Sequence, residues 1–392
     1  MGKKLLLILI GIIILFINYY PHYYAFIKTP PNYVYTGQAS WFDPWDITNY
    51  WATIKSAQKE RKILLTNINT TATVRPAFVY PLYTIIGTIF LEANNILLYH
   101  ALTLIGGALL IWGLFVLSNL LLKNTANTLW TLVLISLGGG LGFLFSTPGV
   151  SADLNIPGVT FLSNFQKPHE AVAALLYISS LIFFFLSIKE KKRTFLLKAI
   201  LAGLLLIPFY PYRLLSLYLI TGIWAATAGA LTSWGILLAV TLPWGILYVW
   251  HFLTSGFSVL TSYEPLPVSL ISLVFGYGAF IILFIYQLFW SKEKSLLRTF
   301  LNIWVGVSLG LALLPWGMGR LFLSGLMFPL AITFILFFKT NKVLVMGLAL
   351  LVLLPSSLYV FGRRIDEVKN NNVWYYLPQT IKQGFDFLEK SE

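Results

Sequence analysis

Two aspartates at the start of the longest polar stretch of the chain have the chemistry of reactive groups. Asp43 and Asp46 lie in the segment WFDPWDITNYWATIKSAQKERK, which follows the first hydrophobic run. A carboxylate can accept a proton from a reacting group or bind a hard cation. The structural alternative is that Asp46 caps a helix while Asp43 and Pro44 form a turn. The pair alone does not separate these interpretations.

A second set of rare polar residues precedes apolar segments. The set is Lys167, His169, Glu170, Arg213 and Arg320. The first three surround Pro168, which suits the first turn of a helix, and each arginine follows prolines or glycines. A helix N-terminus attracts anions, and an arginine there adds a fork that fits phosphate oxygens. The structural alternatives are arginines that reach lipid headgroups and a histidine with ordinary interfacial hydrogen bonds.

The elements that must position these residues are membrane helices. Hydrophobic residues make up 58% of the sequence and charged residues 10%, and apolar runs repeatedly reach spanning length, roughly 17–25 residues. Any other open backbone would leave N–H and C=O groups unbonded in lipid. The sequence predicts an all-α polytopic membrane protein with about eleven transmembrane helices. These are expected near 4–20, 96–122, 128–147, 171–188, 195–209, 213–231, 234–252, 268–290, 299–314, 321–338 and 343–361.

Basic residues predict the orientation. Lysine and arginine cluster near the N-terminus and in the connectors 189–198, 291–298 and 339–342. Short basic connectors face the cytoplasm, so the N-terminus is expected there and the polar stretch outside. The segment 78–93 is then a juxtamembrane or re-entrant helix, because a full crossing would move the connectors outside. This orientation, rather than nucleic-acid binding, accounts for the net charge of +13.

The polar stretch is expected to contain its own helix. Asp46 is predicted at the N-cap, followed by apolar residues at helical spacing. These are Ile47, Tyr50, Trp51, Ile54 and Ala57, and Lys55, Lys59 and Lys62 form a basic stripe. The prediction is a helix in the membrane interface with its aromatic face toward lipid.

Four parts of the chain follow from this pattern. Residues 1–20 are the first transmembrane helix, and 21–95 are an outer loop with juxtamembrane helices. Residues 96–361 are the helix bundle, and 362–392 are a short extracytoplasmic tail. The expected location is the plasma membrane, with the polar loops on the extracytoplasmic face.

Composition and motifs also exclude or disfavour several functions. The absence of cysteine rules out disulfides, thiolate zinc sites and cysteine nucleophiles. The chain has no P-loop or Rossmann glycine pattern, so chemistry on a soluble nucleotide fits poorly. Ionisable residues are sparse in the expected spans and concentrate at the outer rim, which favours a lipid-borne substrate over transport.

The arrangement resembles the GT-C superfamily of membrane glycosyltransferases, which use polyprenyl-phosphate-linked sugars outside the cytoplasm. The shared layout is a cytoplasmic N-terminus, one span and an outer loop with an acidic residue. The similar segments are 46–51 (DITNYW), 62–67 (KILLTN), 75–81 (RPAFVYP), 164–172 (NFQKPHEAV), 315–330 (PWGMGRLFLSGLMFPL) and 371–392. In layout the resemblance covers most of the chain.

The resemblance implies roles for the two aspartates. Asp46 would be the general base that deprotonates an acceptor hydroxyl, and Asp43 would support it or help to hold a divalent cation. A cation is compatible with the pair but not required, and no cofactor is certain. A single displacement at the sugar would invert the anomeric configuration.

The resemblance also implies a binding role for the second set of residues. Arg320 and Arg213 would bind the donor phosphate and stabilise the departing group. His169 and Glu170 would orient the acceptor, and Lys167 would belong to the same substrate-binding set. The implied partners are a polyprenyl-phosphate-linked sugar, a lipid, glycan or protein acceptor and membrane lipids, without nucleic acid.

Two other functions remain open on the sequence. One is a transporter or flippase of a lipid or lipid-linked saccharide, and the other is a non-catalytic membrane partner in envelope assembly. An Asp46→Asn variant separates the three. Chemistry should collapse, transport should change partially, and a scaffold should barely respond.

Overall fold

The apolar runs fold as helices in the computed structural model. The structure describes residues 2–41, 43–66, 74–144, 151–156, 158–258, 268–290, 295–315, 318–338 and 342–391. The helices are α1 (Gly2–Ile27), α2 (Pro44–Glu60), α3 (Pro81–Ile89), α4 (Asn95–Leu122), α5 (Thr125–Leu137), α6 (Ala152–Asn155), α7 (Phe161–Gln166), α8 (Pro168–Lys189), α9 (Arg193–Leu206), α10 (Arg213–Thr227), α11 (Leu231–Leu253), α12 (Leu270–Tyr277), α13 (Ala279–Trp290), α14 (Leu296–Leu313), α15 (Met327–Phe337), α16 (Lys342–Lys369) and α17 (Gln379–Ser391). Two three-residue strands, β1 (Tyr33–Tyr35) and β2 (Tyr376–Pro378), pair antiparallel. The predicted helical class is confirmed, and the basic connector residues 291–294 and 339–341 lie outside the described ranges.

Fewer helices can span a membrane than the sequence predicted. Seven described helices are long and apolar enough, and the bent pair α12–α13 makes eight if it counts as one span. The predicted spans near 195–209, 213–231 and 321–338 are the shorter helices α9, α10 and α15, with 14, 15 and 11 residues. At 1.5 Å per residue these helices extend about 16–23 Å, less than the ~30 Å hydrocarbon core. Seven or eight full spans therefore replace the expected eleven or so in the described part of the chain.

Helix α8 is at the centre of the bundle. It packs against α4, α7, α9 and α10. Phe185 is buried on α8 and stacks on Phe300 of α14, with ring centroids 4.8 Å apart. Trp224 and Trp304 pack against the same rings. This packing anchors the C-terminal end of α8, whose first turn lies at the opposite end of the helix.

Helix α2 packs against protein rather than lipid. Its apolar face meets α3 and α4. The buried cluster between them contains Ile47, Tyr50, Ile54, Tyr83, Tyr99 and Leu102. Tyr50 stacks on Tyr83 with ring centroids 4.7 Å apart. The predicted lipid-facing aromatic side is therefore wrong, because two neighbouring helices cover it.

Helix α3 lies within the segment 78–93, which the sequence predicted to be a juxtamembrane or re-entrant helix. It has nine residues and extends only about 13 Å, too short to cross a bilayer. A close approach to α2 holds it in place, because a Cβ on Gly87 would lie 2.6 Å from the carbonyl oxygen of Ile54. The length agrees with the prediction that this segment does not span the membrane.

A glycine-rich segment after α5 packs against a broken helix pair. Helices α12 and α13 are bent by 102° at Gly278, whose φ of +50° favours glycine. The amide of Leu141 donates to the carbonyl oxygen of Phe275 at 2.7 Å. A Cβ on Gly140 would lie 2.0 Å from that same oxygen, so only glycine fits there.

Asp153 stabilises the glycine-rich segment where it packs against the broken pair α12–α13. It lies on the four-residue helix α6 and is buried. Its carboxylate accepts hydrogen bonds from the Gly140 amide at 2.8 Å and from the hydroxyls of Ser151 and Ser356. Backbone donors outside regular helices need such partners when they are buried.

The C-terminal segment is attached to the first loop. Tyr33 of β1 pairs with Pro378 of β2. Arg364 of α16 is fully buried, and its Nε donates to the Ala39 carbonyl at 2.7 Å while Nη1 donates to the Asn18 carbonyl at 2.9 Å. The tail and the first loop therefore lie at the same end of the bundle, and the side of the membrane that this end faces stays a prediction.

Candidate functional site

Lys167 connects the two groups of candidate residues. It is the N-cap of α8, Pro168 occupies the first turn as predicted, and the Lys167 side chain is only 5% exposed. Its Nζ donates to Oδ2 of Asp43 and to Oδ2 of Asp46, both at 2.8 Å. The Asp43 and Asp46 side chains are 28% and 36% exposed. In this cluster of Asp43, Asp46 and Lys167, the two carboxylates are therefore partly exposed to solvent and the ammonium is buried.

The start of α2 differs from the prediction by three residues. The N-cap is Asp43 rather than Asp46, because the helix begins at Pro44, a residue suited to a first helical position. Asp43 has φ of +45° and makes no side-chain cap hydrogen bond. Asp46 lies in the first turn, so the predicted cap at Asp46 is wrong, whereas the bond from the Asp46 amide to the Asp43 carbonyl at 3.0 Å agrees with a turn at Asp43 and Pro44.

The Lys167 ammonium stays charged despite its burial. Burial lowers the pKa of Lys167, but the carboxylates of Asp46 and Asp43 outweigh burial and hold that pKa above its ordinary value. One positive and two negative groups leave the cluster with a net negative charge.

Divalent cations do not fit this cluster as it is arranged. The Lys167 ammonium lies within hydrogen-bond distance of both Asp43 and Asp46, where a shared cation would bind. No group of three or more histidine, aspartate or glutamate side chains in the described part of the chain is arranged to hold a metal ion. Two carboxylates are few ligands for a cation that takes six or more oxygens.

A buried ion pair lies one turn further along α8. Glu170 accepts a hydrogen bond from Arg213 Nη2 at 2.6 Å through one carboxylate oxygen and from the Tyr210 hydroxyl at 2.6 Å through the other. Arg213 is the first residue of α10, as its position before an apolar run predicted. Its guanidinium also lies over the Tyr210 ring, 4.3 Å from the centroid. Its Nε and Nη1 are buried and have no hydrogen-bond partner within the described residues.

His169 packs against the buried aromatic residues of α2 and α3, and its ring also lies 5.8 Å from that of Tyr210. The Tyr83 hydroxyl and His169 Nδ1 are 2.7 Å apart, and the imidazole packs edge-on against Tyr50 with ring centroids 4.8 Å apart. His169 is buried. This geometry favours the structural interpretation of His169 over an acceptor-binding one.

Arg320 does not open an α-helix. It lies in a short 3-10 helix, Gly319–Leu323, and the next α-helix begins at Met327. Burial raises the pKa of the Tyr212 hydroxyl, while Arg213 and, more weakly, Arg320 oppose that rise. Phe322 of the same 3-10 helix packs edge-on against Tyr212 with ring centroids 6.3 Å apart, so the segment that carries Arg320 lies beside the start of α10.

The sequence did not identify several residues around the pair. Gly158 has φ of +83°, and a Cβ there would lie 3.2 Å from the Ser324 hydroxyl and 3.7 Å from Glu170 Oε2. These contacts bring the segment before α7 and the one before α15 next to the first turn of α8. The PYPYR sequence carried a usable signal for Tyr210, because it places that hydroxyl beside a candidate arginine. Gly158 and Ser324 carried none.

These features define a class but not a family. The chain is an all-α protein whose apolar helices can cross a membrane several times, with a polar cluster at one end of the bundle. Comparison with protein-family models and with curated proteins gives no significant match.

Proposed function

We propose that this protein is a membrane glycosyltransferase of the GT-C type, which transfers a sugar from a polyprenyl-phosphate donor to an acceptor on the extracytoplasmic face. The observation that supports this most is the pair of solvent-accessible carboxylates that Lys167 holds at the first turn of α8. Three residues further on, Glu170 binds Arg213. Acidic and cationic groups thus meet within one turn of a buried helix.

The proposed chemistry begins at Asp46. The Lys167 ammonium donates to Oδ2 of Asp46 and orients the carboxylate, which as a base would accept a proton. Asp46 removes the proton of the acceptor hydroxyl, whose oxygen bonds to the anomeric carbon. The bond from that carbon to the phosphate oxygen breaks, and its electron pair leaves with the phosphate. One displacement inverts the anomeric configuration, and Asp43 keeps Lys167 in place.

The departing phosphate needs cations rather than an acid. Arg213 has two guanidinium nitrogens without hydrogen-bond partners in the described residues, and Arg320 lies in the 3-10 helix whose Phe322 packs against Tyr212. Helix α10 begins at Arg213, so the positive end of its helix dipole lies beside the guanidinium. These groups stabilise the negative charge that grows on the leaving group. We therefore keep Arg213 and Arg320 as donor-binding residues.

The proposed setting is the plasma membrane with a cytoplasmic N-terminus. The basic connectors of the sequence support this orientation. It puts the first loop, the tail and the polar cluster on the extracytoplasmic side, where lipid-linked sugars are presented. Membrane lipids are then partners along the whole bundle.

Lipid or lipid-linked saccharide transport is the second candidate. The break at Gly278 and the buried Asp153 beside the glycine-rich segment favour it, because transporters build substrate sites from interrupted helices. The carboxylate of Asp153 already accepts hydrogen bonds from several donors, which leaves it little capacity for a substrate. We therefore assign the region of Gly278 and Asp153 a structural role in preference to a substrate-binding one.

Turnover of a lipid-linked sugar tests the proposal. Purified protein would be given a panel of radiolabelled polyprenyl-phosphate sugars, and release of polyprenyl phosphate would be measured. We expect Asp46→Asn to lose roughly 10²–10⁴-fold in rate. The matched control is Asp366→Asn, an exposed aspartate of α16 whose described ion pair is a 3.8 Å contact with Lys369. Equal turnover in wild type and Asp46→Asn would reject the assigned base.

Donor binding is a separate test. Polyprenyl phosphate should raise the thermal unfolding temperature of the wild type and should do so less for Arg320→Ala. Stabilisation by the lipid phosphate without any turnover would favour transport. A folded protein that no such lipid stabilises would contradict both functions.

A further inference from the structure

The C-terminal helix presents an apolar surface that the described protein does not cover. In α17, Ile381 and Phe385 are 47% and 58% exposed, and they are four residues apart, on the same face of the helix. Gln383 lies on the opposite face and is exposed as well, and one turn further on Phe387, 71% exposed, extends the apolar surface toward that side. The connection before the helix adds exposed Val373 and Trp374. Large apolar side chains grouped on an exposed surface mark an interaction site.

The antiparallel β1–β2 pair holds the start of α17 beside the end of α1. The Tyr376 hydroxyl in β2 donates to the Ala25 carbonyl in the last turn of α1 at 3.0 Å. The Gln379 amide, at the start of α17, donates to the Asn32 carbonyl at 2.9 Å. The helix therefore starts close to the point where α1 ends. Its 13 residues extend about 20 Å from there.

Side chains around this point have the character of a membrane boundary. Phe26 and Ile27, the last residues of α1, are exposed and apolar. Trp374 packs edge-on against Trp45 with ring centroids 6.5 Å apart. Tryptophan is enriched where a bilayer meets water. Helix α17 thus starts next to an apolar and aromatic end of α1.

We propose that α17 is an interfacial helix that lies on the lipid bilayer through Ile381 and Phe385. Its partner is the headgroup and upper acyl region of the membrane. Gln383 stays in water, as polar residues do in other amphipathic helices that lie in the membrane plane. The sequence of α17 has two lysines and two acidic residues, so attachment depends on apolar burial and not on lipid charge. This inference does not depend on the proposed glycosyltransferase function.

Spin labelling of the full chain tests this surface directly, because the natural sequence has no cysteine to remove. Single substitutions Ile381→Cys, Phe385→Cys and Gln383→Cys would each carry a nitroxide in protein reconstituted into phosphatidylcholine vesicles. Accessibility to oxygen, which concentrates in lipid, would be compared with accessibility to a water-soluble nickel chelate. We expect oxygen to dominate at 381 and 385 and nickel to dominate at 383. The pattern should be the same when phosphatidylglycerol is added.

Three results would overturn the inference. Nickel access at 381 and 385 equal to that at 383 would place the helix in water. Shielding of 381 and 385 from both reagents, with or without dipolar broadening between labels, would mean that a second copy or another part of the protein covers the face. A pattern that appears only with phosphatidylglycerol would mean that lipid charge, not apolar burial, attaches the helix.

Discussion

Replacing Lys167 by methionine should destabilise the protein, because it removes the ammonium between two carboxylates and keeps most of the side-chain volume. Each Oδ2 lies 2.8 Å from Nζ, so the two oxygens are at most twice that distance apart. At the largest separation two unit charges repel by about 3 kcal/mol at an effective dielectric constant of 20 and by about 0.7 kcal/mol in water. Asp43 and Asp46 are 28% and 36% exposed, which puts the cost between these limits. We expect the free energy of unfolding to fall by about 1–3 kcal/mol.

The pH dependence of this loss has a definite sign. The pKa of Lys167 is raised in the folded protein, since the two carboxylates outweigh burial. The stabilisation is then fully present below the unfolded-state lysine pKa of about 10.4 and is lost as pH rises through the higher folded value. The difference between wild type and Lys167→Met should be constant from neutral pH to about pH 10 and shrink above it.

Thermal and denaturant unfolding in detergent micelles would measure both effects. Lys167→Arg is the matched control, because it keeps the positive charge and should lose less stability than Lys167→Met. Equal unfolding free energies for wild type and Lys167→Met, with no change in pH dependence, would refute the argument that the ammonium holds Asp43 and Asp46 together.

Three further predictions concern the scaffold. Gly87→Ala should cost about 1–3 kcal/mol in unfolding experiments, because its Cβ would meet the backbone of α2, whereas Gly235→Ala, with open space around it, should be neutral or stabilising. Asp153→Asn should cost about 1–3 kcal/mol near neutral pH, since a buried acceptor oxygen is lost. Burial raises the pKa of Asp153. The difference in unfolding free energy between wild type and Asp153→Asn should therefore narrow as pH rises above about 4, where an unfolded aspartate ionises. Arg364→Met should increase the rate of limited proteolysis in the first loop of the detergent-solubilised protein, because the hydrogen bond to the Ala39 carbonyl is lost. An unchanged cleavage rate would contradict this role of Arg364.

Much of the helical scaffold could be predicted from the sequence, because bilayer thickness sets the length of an apolar run. The start of α8 at Pro168 and of α10 at Arg213 also followed from local chemistry. The number of spans could not be predicted in this way. Helices as short as α15, with 11 residues, read as full spans because hydropathy reports apolarity and not where a helix breaks.

The contacts of the candidate site could not be derived from sequence. Lys167 lies more than a hundred residues from Asp43 and Asp46, and nothing local indicates that it binds them both. The same polar spacing that suggested a cap at Asp46 is equally compatible with an ion pair. The aromatic face of α2 was assigned to lipid because amphipathicity shows that a face is buried but not what buries it.

The long-range contacts of Arg364 have a consequence for biosynthesis. Arg364 binds carbonyls at Asn18 and Ala39, and β2 pairs with β1, so the first loop completes its hydrogen bonds only with residues made more than three hundred positions later. At about 5–20 residues per second, this delay lasts tens of seconds. Throughout that interval the loop that carries Asp43 and Asp46 is already outside α1 but lacks its C-terminal partners. Nascent chains that stop before α16 therefore leave the Asn18 and Ala39 carbonyls without the arginine that binds them, which distinguishes an unfinished chain from a complete fold.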